Sequence, residues 1–227
     1  MFNKVILASA VMMVLAGAAH AADSVDLKVT GTLINGSCTP SLENGGVVDY
    51  GNIPLDSLSK TQTNQLGTKV THLNVQCTSA MQVAWVITDN KNDSVAAVDI
   101  SDSNGTVTQS IQKFGLGKTA GNINLGAWFI RVTGAQQYDG IDANTLYNDS
   151  IKNYTPGSNW ESTWLGVPYN DGSRGYTLGE KGINQPVAAK SFYYTLDISA
   201  AIQGTDTLAI SDKTYLDGAA TISLVYL

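Results

Sequence analysis

Apolar residues recur at every second position in several stretches of this chain: Val25, Leu27 and Val29; Leu73, Val75 and Cys77; Val83, Trp85 and Ile87; Phe192, Tyr194, Leu196 and Ile198; and Ala220, Ile222, Leu224 and Tyr226. Side chains on an extended strand point alternately to its two faces, so a period of two predicts half-buried strands with one face on a core. Between these stretches stand Asn35-Gly36, Asn44-Gly45-Gly46, Asn104-Gly105, Asp139-Gly140, Asp171-Gly172 and Asp217-Gly218, residues that tolerate the positive φ of tight turns. No stretch of about ten residues repeats its apolar positions at helical spacing; Leu55 to Leu66 and Ser199 to Gln203 are each expected to supply a helical turn. The pattern predicts an all-β antiparallel sandwich with little helix. From about Gly134 to Gln185 the alternation gives way to Gly, Asn, Asp and aromatic residues, which reads as a loop-rich aromatic insertion.

Residues 1–21 carry the marks of a secretory signal peptide. Lys4 supplies the charge, Val5 to Ala18 the apolar run and Ala19-His20-Ala21 the cleavage site. The mature chain is then 22–227, read as one domain because no linker interrupts it. It is expected to be exported, to the periplasm or the cell surface. No later window reaches the ~18 apolar residues of a membrane-spanning helix, so no transmembrane segment is expected in the mature chain. In an oxidising compartment, Cys38 and Cys77, the two cysteines of the sequence, are expected to pair as a disulfide. Closing a loop of about forty residues removes roughly 4 kcal/mol of unfolded-state entropy. The formal net charge is -6, and loss of Lys4 makes the mature chain about one unit more negative. That balance argues against nucleic acid and anionic lipid as partners.

Catalytic chemistry finds little material. His72 is the sole histidine beyond the signal, so neither a histidine-based zinc site nor a Ser-His-Asp triad can be assembled. Ser57-Leu58-Ser59-Lys60 has the serine-x-x-lysine spacing without its companion signatures. Asp99 to Gly105 offers oxygen ligands, but Ser110 stands where a calcium loop needs glutamate, and a hairpin is the expected structure. Gly115, Gly117 and Gly121 lack the strand-to-helix context of a phosphate loop. No cofactor or metal is expected, and the protein is read as a non-enzyme. Two other readings stand beside this one. Tyr154, Trp160, Trp164 and Tyr169 lie among Asn and Asp residues, a composition suited to stacking on sugars and fixing their hydroxyls, so they form a candidate ligand surface for a glycan; the alternative is that Trp128, Trp160 and Trp164 close one end of the sandwich. Glu161, Asp171 and Glu180 could serve a small carboxylate-dependent hydrolase if two of them converge.

The two ends and the middle carry a resemblance. Val29 to Cys38, with Gly31 two residues after an apolar position, is followed by Cys38-Thr39-Pro40, Val48-Asp49-Tyr50-Gly51, Leu73 to Cys77, Phe114-Gly115-Leu116-Gly117 and finally Leu216-Asp217-Gly218 through Tyr226-Leu227. In order and spacing these resemble a GltF-like group of fimbrial-like exported proteins, related to the subunits of chaperone-usher fimbriae. The resemblance implies an immunoglobulin-like, pilin-like sandwich whose first two strands are joined by Cys38 and Cys77. It also implies a missing last strand, supplied by a periplasmic chaperone or by the N-terminal extension of another fimbrial subunit. Residues 22–30 are then the candidate donor strand, with Val25, Leu27 and Val29 filling a groove. Ala220, Ile222, Leu224 and Tyr226 are the candidate chaperone and acceptor edge. Only about nine residues lie between the signal and Gly31, a short donor for that family. The plainer alternative makes Val25 to Val29 an edge strand of the chain's own sandwich.

Overall fold

The computed structural model describes residues 27–33, 35–210 and 213–227. The chain divides into two units, Met1–Ile34 and Asn35–Leu227. In the first unit, residues 27–33 form no strand or helix, and Leu27 and Val29 are 90% and 88% exposed. Val25 and the signal segment lie outside the described residues.

The described residues of the second unit form thirteen strands, one α-helical turn and five 3₁₀ turns. The strands and the α-helical turn are β1 (Cys38–Leu42), β2 (Asn64–Met81), β3 (Val83–Asp89), β4 (Ile100–Asp102), β5 (Gly105–Val107), β6 (Phe114–Gly115), β7 (Gly126–Tyr138), β8 (Ile141–Asp142), β9 (Asn144–Asn148), β10 (Glu161–Thr163), β11 (Gly175–Gly179), β12 (Ala189–Ile202), α1 (Thr205–Leu208) and β13 (Ala220–Tyr226). One sheet runs β1-β2-β12-β7-β6, with β8 paired to β7; the other runs β10-β9-β11-β3-β13. Every ladder within the two sheets is antiparallel. The first sheet has the A-B-E-D order of an immunoglobulin sandwich if β1, β2, β12 and β7 take those places, and β3 and β13 then correspond to C and F.

The alternating residues seen in the sequence form the layer between the sheets. Leu73 and Val75 of β2, Trp85 and Ile87 of β3, and Tyr194 and Leu196 of β12 are buried in one cluster with Ile130, Val132, Tyr176 and Leu178. The Trp85 ring stacks on Tyr176 at 5.2 Å and meets the edge of Tyr194 at 5.8 Å, geometries that add to area burial. The long β2–β12 ladder is interrupted twice, between Ala189 and Ser191 and again near its other end, where Ala200 pairs with Gly67 and Ala201 with Gln65. The extra residue of this bulge is accommodated by Gly67 at φ +83°, a backbone setting that favours glycine. Gly126 serves close approach instead: a Cβ there would meet the Ala201 carbonyl oxygen at 2.0 Å.

One sequence expectation is displaced, and others hold or gain detail. Ser199 to Ile202 belongs to β12 and the helical turn falls just beyond it, at Thr205–Leu208; Ala200, Ala201 and Ile202 are buried at the end of β12, and that packing overrides local preference. Leu55–Ser57 does form a single 3₁₀ turn. The segment 134–185 is loop-rich but also contributes strands: β8 to β11 arise from it, because Leu146, Tyr176 and Leu178 are fully buried and extend the second sheet beyond β3. Asp99 to Gly105 leads into the β4–β5 hairpin, and Asp102 is committed to Arg131 through bonds of 2.6 and 3.2 Å.

Candidate functional site

β13 carries the principal candidate site on its unpaired side. Ala220 to Tyr226 pairs with β3 residue by residue, from Ala220 with Asp89 to Tyr226 with Val83. Among the described residues no strand pairs with the opposite edge. In an immunoglobulin sandwich that place, beside F, belongs to a seventh strand. Here it is a groove of about 1140 Å³.

One wall of the groove is β13, where Ala220 and Ile222 face the cavity. The other is the stretch 47–53, in which Val48 and Tyr50 are half-buried while Val47, Asp49 and Gly51 are exposed. That alternation is strand-like, yet the stretch joins no ladder. It is held locally, Val47 N donating to the Asn44 carbonyl at 3.3 Å and Gly51 N to Asp49 Oδ1 at 2.7 Å. Tyr50 Oη donates to the Ile198 carbonyl at 2.8 Å and so ties this wall to β12. Burial pushes the Tyr50 phenol well above its ordinary pKa. Ile87, Ile130, Leu196 and Ile198 form the apolar floor, and Leu208 and Leu216 also line the cavity. Asp49, Asn52, Thr71 and Lys213 also stand around the cavity; the site offers burial for apolar groups on its floor and main-chain partners along β13.

Both ends of β13 are fixed. At its start, Asp217 N donates to the Leu116 carbonyl and Asn90 N to the Ala219 carbonyl, each at 2.9 Å, and Lys91 Nζ meets Asp217 at 2.5 Å. At its finish, Cys38 N donates to Tyr226 Oη at 3.0 Å. Cys38 and Cys77 are joined as a disulfide and are opposite partners in the β1–β2 ladder. The cross-link thus sits where β1 meets the end of β13.

Of the four residues assigned to the acceptor edge, Ala220 and Ile222 line the cavity. Leu224 packs on the core beside its partner Trp85, and Tyr226 is half-exposed with its hydroxyl on β1. The opposite wall was missed by the sequence reading as a groove element. Its signal was available in the alternation of Val48 and Tyr50 around Asp49. The floor residue Ile87 was read only as core.

The aromatic residues do not share one surface. Trp160 is 4% exposed, packed with Ala84, Leu146 and Ile151; its assignment to a ligand face is corrected to a core role. Tyr154 packs beside it, ring centroids 6.1 Å apart. Trp164 is 80% exposed. Tyr169 is taken up by Arg174, whose guanidinium lies 3.9 Å from the ring centroid and whose Nη2 donates to Tyr169 Oη at 2.7 Å. Arg174 also bonds Asp149 and the Val167 carbonyl, so the cluster fastens loops together.

The carboxylates are likewise dispersed. Glu161 pairs with Tyr147 on β9, whereas Glu180 follows Gly179, which pairs with Asn144; four steps at ~3.3 Å separate the two by about 13 Å along the strands alone. Glu161 accepts from Tyr147 Oη at 2.5 Å, which raises the phenol's pKa. Asp171 accepts from Ser173 at 2.6 and 2.9 Å. Among the described residues no group of three or more His, Cys, Asp or Glu is placed to hold a metal ion, and no helix is long and apolar enough to cross a membrane.

Residues 27–129, which include one wall of the groove and its β3 floor, match a family model described as a protein of unknown function (DUF1120). The chain is 30% identical to the uncharacterized protein YhcF of Escherichia coli (strain K12) over 224 residues, 92% of this chain and 93% of that one. It is 29% identical to protein GltF of the same organism over 247 residues, covering 96% of this chain and 95% of the relative. Identity at that level, carried across nearly the full length of both chains, places this protein in the same family as YhcF and GltF.

Proposed function

We propose that this protein is an exported, non-enzymatic structural and interaction protein of fimbrial type, completed by a β-strand from a periplasmic chaperone or a neighbouring subunit. The observation that carries the reading is the free edge of β13 beside an apolar groove at the place of a seventh strand. An unpaired edge next to exposed apolar surface is an aggregation hazard, and a partner strand removes it by supplying both main-chain bonds and side chains for the groove. The joined Cys38 and Cys77 and the resemblance of both chain ends to fimbrial subunits support the same reading.

The test is to express the chain with its export signal, isolate it from the periplasm and size it. Wild type is compared with Ile222→Asp, which puts a charge in the groove, and with Ser223→Asp, on the outward face of the same strand. The expected result is a stable complex with a second polypeptide, lost in Ile222→Asp and kept in Ser223→Asp. A folded monomer in all three cases would refute the proposal.

A further inference from the structure

We propose that Met81 is an oxidation site: a peroxide converts its thioether to the sulfoxide, and the added oxygen releases the latch that holds the start of β1 against the end of β13. The inference uses the packing of this rim and does not depend on what the groove accepts.

The first argument is the chemistry on offer. Met81 is the sole methionine of residues 22–227, and the two cysteines are already joined to each other. A mild two-electron oxidant therefore finds one thioether and no competing thiol. Met81 closes β2, half-buried between exposed Ala80 and Gln82, so a small oxidant in solution reaches it.

The second argument is packing. Met81 Sδ lies 3.8 Å from Cys38 Sγ. A Cβ on Gly36 would stand 2.6 Å from Sδ and 3.1 Å from Cε, so the thioether fills the space that a side chain at 36 would take. On another side Met81 packs against the main core cluster. An oxygen on this sulfur that points toward Gly36 or Cys38 displaces them. One that points toward the core sets a polar atom among apolar groups. One that turns to solvent takes the sulfur out of the junction. Each outcome loosens residues 36–38.

The third argument is what those residues hold. Ser37 N donates to Thr78 Oγ1 at 3.0 Å, and Thr78 N donates to the Ser37 carbonyl at 2.9 Å. Cys38 N donates to Tyr226 Oη at 3.0 Å, the bond that fixes the finish of β13. All three bonds are made at the two residues that Met81 backs.

The step balances with hydrogen peroxide as oxidant. A sulfur lone pair takes one oxygen atom as the O–O bond breaks, and the other oxygen leaves as water. The sulfur loses two electrons and the peroxide gains them. Sulfoxide forms as two epimers, each returned to the thioether by its own reductase, so the change is reversible.

The experiment treats the mature chain with dilute hydrogen peroxide, locates the oxygen by peptide mass mapping and follows amide exchange. One oxygen is expected at Met81, with exchange about tenfold faster at residues 36–38 and at the end of β13 and unchanged in β12. Treatment with both sulfoxide reductases should restore protection. Met81→Leu keeps the packing volume and should be indifferent to peroxide. Met81→Gln, a permanently polar side chain, should show the faster exchange without peroxide. If Met81 stays unoxidised in peroxide that fully oxidises free methionine, the site is overturned. If Met81 takes up its oxygen while protection at 36–38 and β13 is unchanged, or if Met81→Leu loosens as much as wild type, the latch is overturned.

Discussion

Removing the cross-link between β1 and β2 tests how the rim of the groove is held. Cys38 and Cys77 are 39 residues apart in sequence; a closed loop of about forty residues restricts the unfolded chain by about 13 cal/mol/K, or about 4 kcal/mol at 25 °C. Beyond its ladder with β2, β1 has little burial to hold it. Thr39, Pro40 and Ser41 are exposed, Cys38 and Leu42 only partly buried, and Pro40 has no N–H to give to the ladder. A Cys38→Ala, Cys77→Ala chain should therefore unfold at a urea concentration lower by about 2 M, taking a slope of about 2 kcal/mol per molar. Tryptophan fluorescence reports the transition, since Trp85 is buried in the core. Amide exchange should show a second effect: with β1 loosened, the bond from Cys38 N to Tyr226 Oη is lost, and protection should fall in β1 and at the end of β13 before it falls in β12. Midpoints within a few tenths of a molar of each other, with β1 still protected, would refute the reasoning.

Two further outcomes follow from buried polar groups. Asp102→Ala should cost about 3–5 kcal/mol, because it leaves the guanidinium of Arg131, whose side chain is 8% exposed, without its carboxylate; Asp102→Leu with Arg131→Met should recover much of the loss in thermal unfolding, and an Asp102→Ala chain as stable as wild type would contradict it. Burial raises the phenol pKa values of Tyr50, Tyr176 and Tyr194, so the stability associated with their neutral forms is complete below about pH 10 and declines as pH rises through the folded values. Three protons released only on unfolding give a slope of up to about 4 kcal/mol per pH unit, reduced by about a third in Tyr50→Phe; unfolding midpoints that stay flat from pH 9 to 11 would exclude this.

The strands that build the core were legible because each hides one face. Leu73 with Val75, Trp85 with Ile87, and Phe192 through Ile198 announce β2, β3 and β12 by period alone, and burial confirms which face turns inward. The segment 134–185 was harder to read for a physical reason. Its strands β9 and β11 sit inside a five-stranded sheet, where Thr145, Leu146, Thr177 and Leu178 are all buried; a strand covered on both faces loses the alternation that marks a half-buried one. Trp160 was misplaced for a related reason: its neighbours in sequence are polar, and the apolar groups that cover it, Ala84, Leu146 and Ile151, come from elsewhere in the chain.

The groove was legible from one side only, and the asymmetry has a cause. β13 advertises itself because its inner residues pack on Trp85 and Ile87, giving four alternating apolar positions. The wall at 47–53 has just Val48 and Tyr50 facing inward before Gly51 interrupts the pattern, and no neighbouring strand reinforces it. A stretch that joins no ladder has no need of the long apolar run that a self-sufficient strand requires. It needs side chains that tolerate exposure when the groove is empty and a fixed point on the sandwich, which Tyr50 supplies through its bond to Ile198. Short alternation interrupted by glycine, as at Val48-Asp49-Tyr50-Gly51, is therefore the pattern expected of a wall held by one side-chain bond rather than by a ladder.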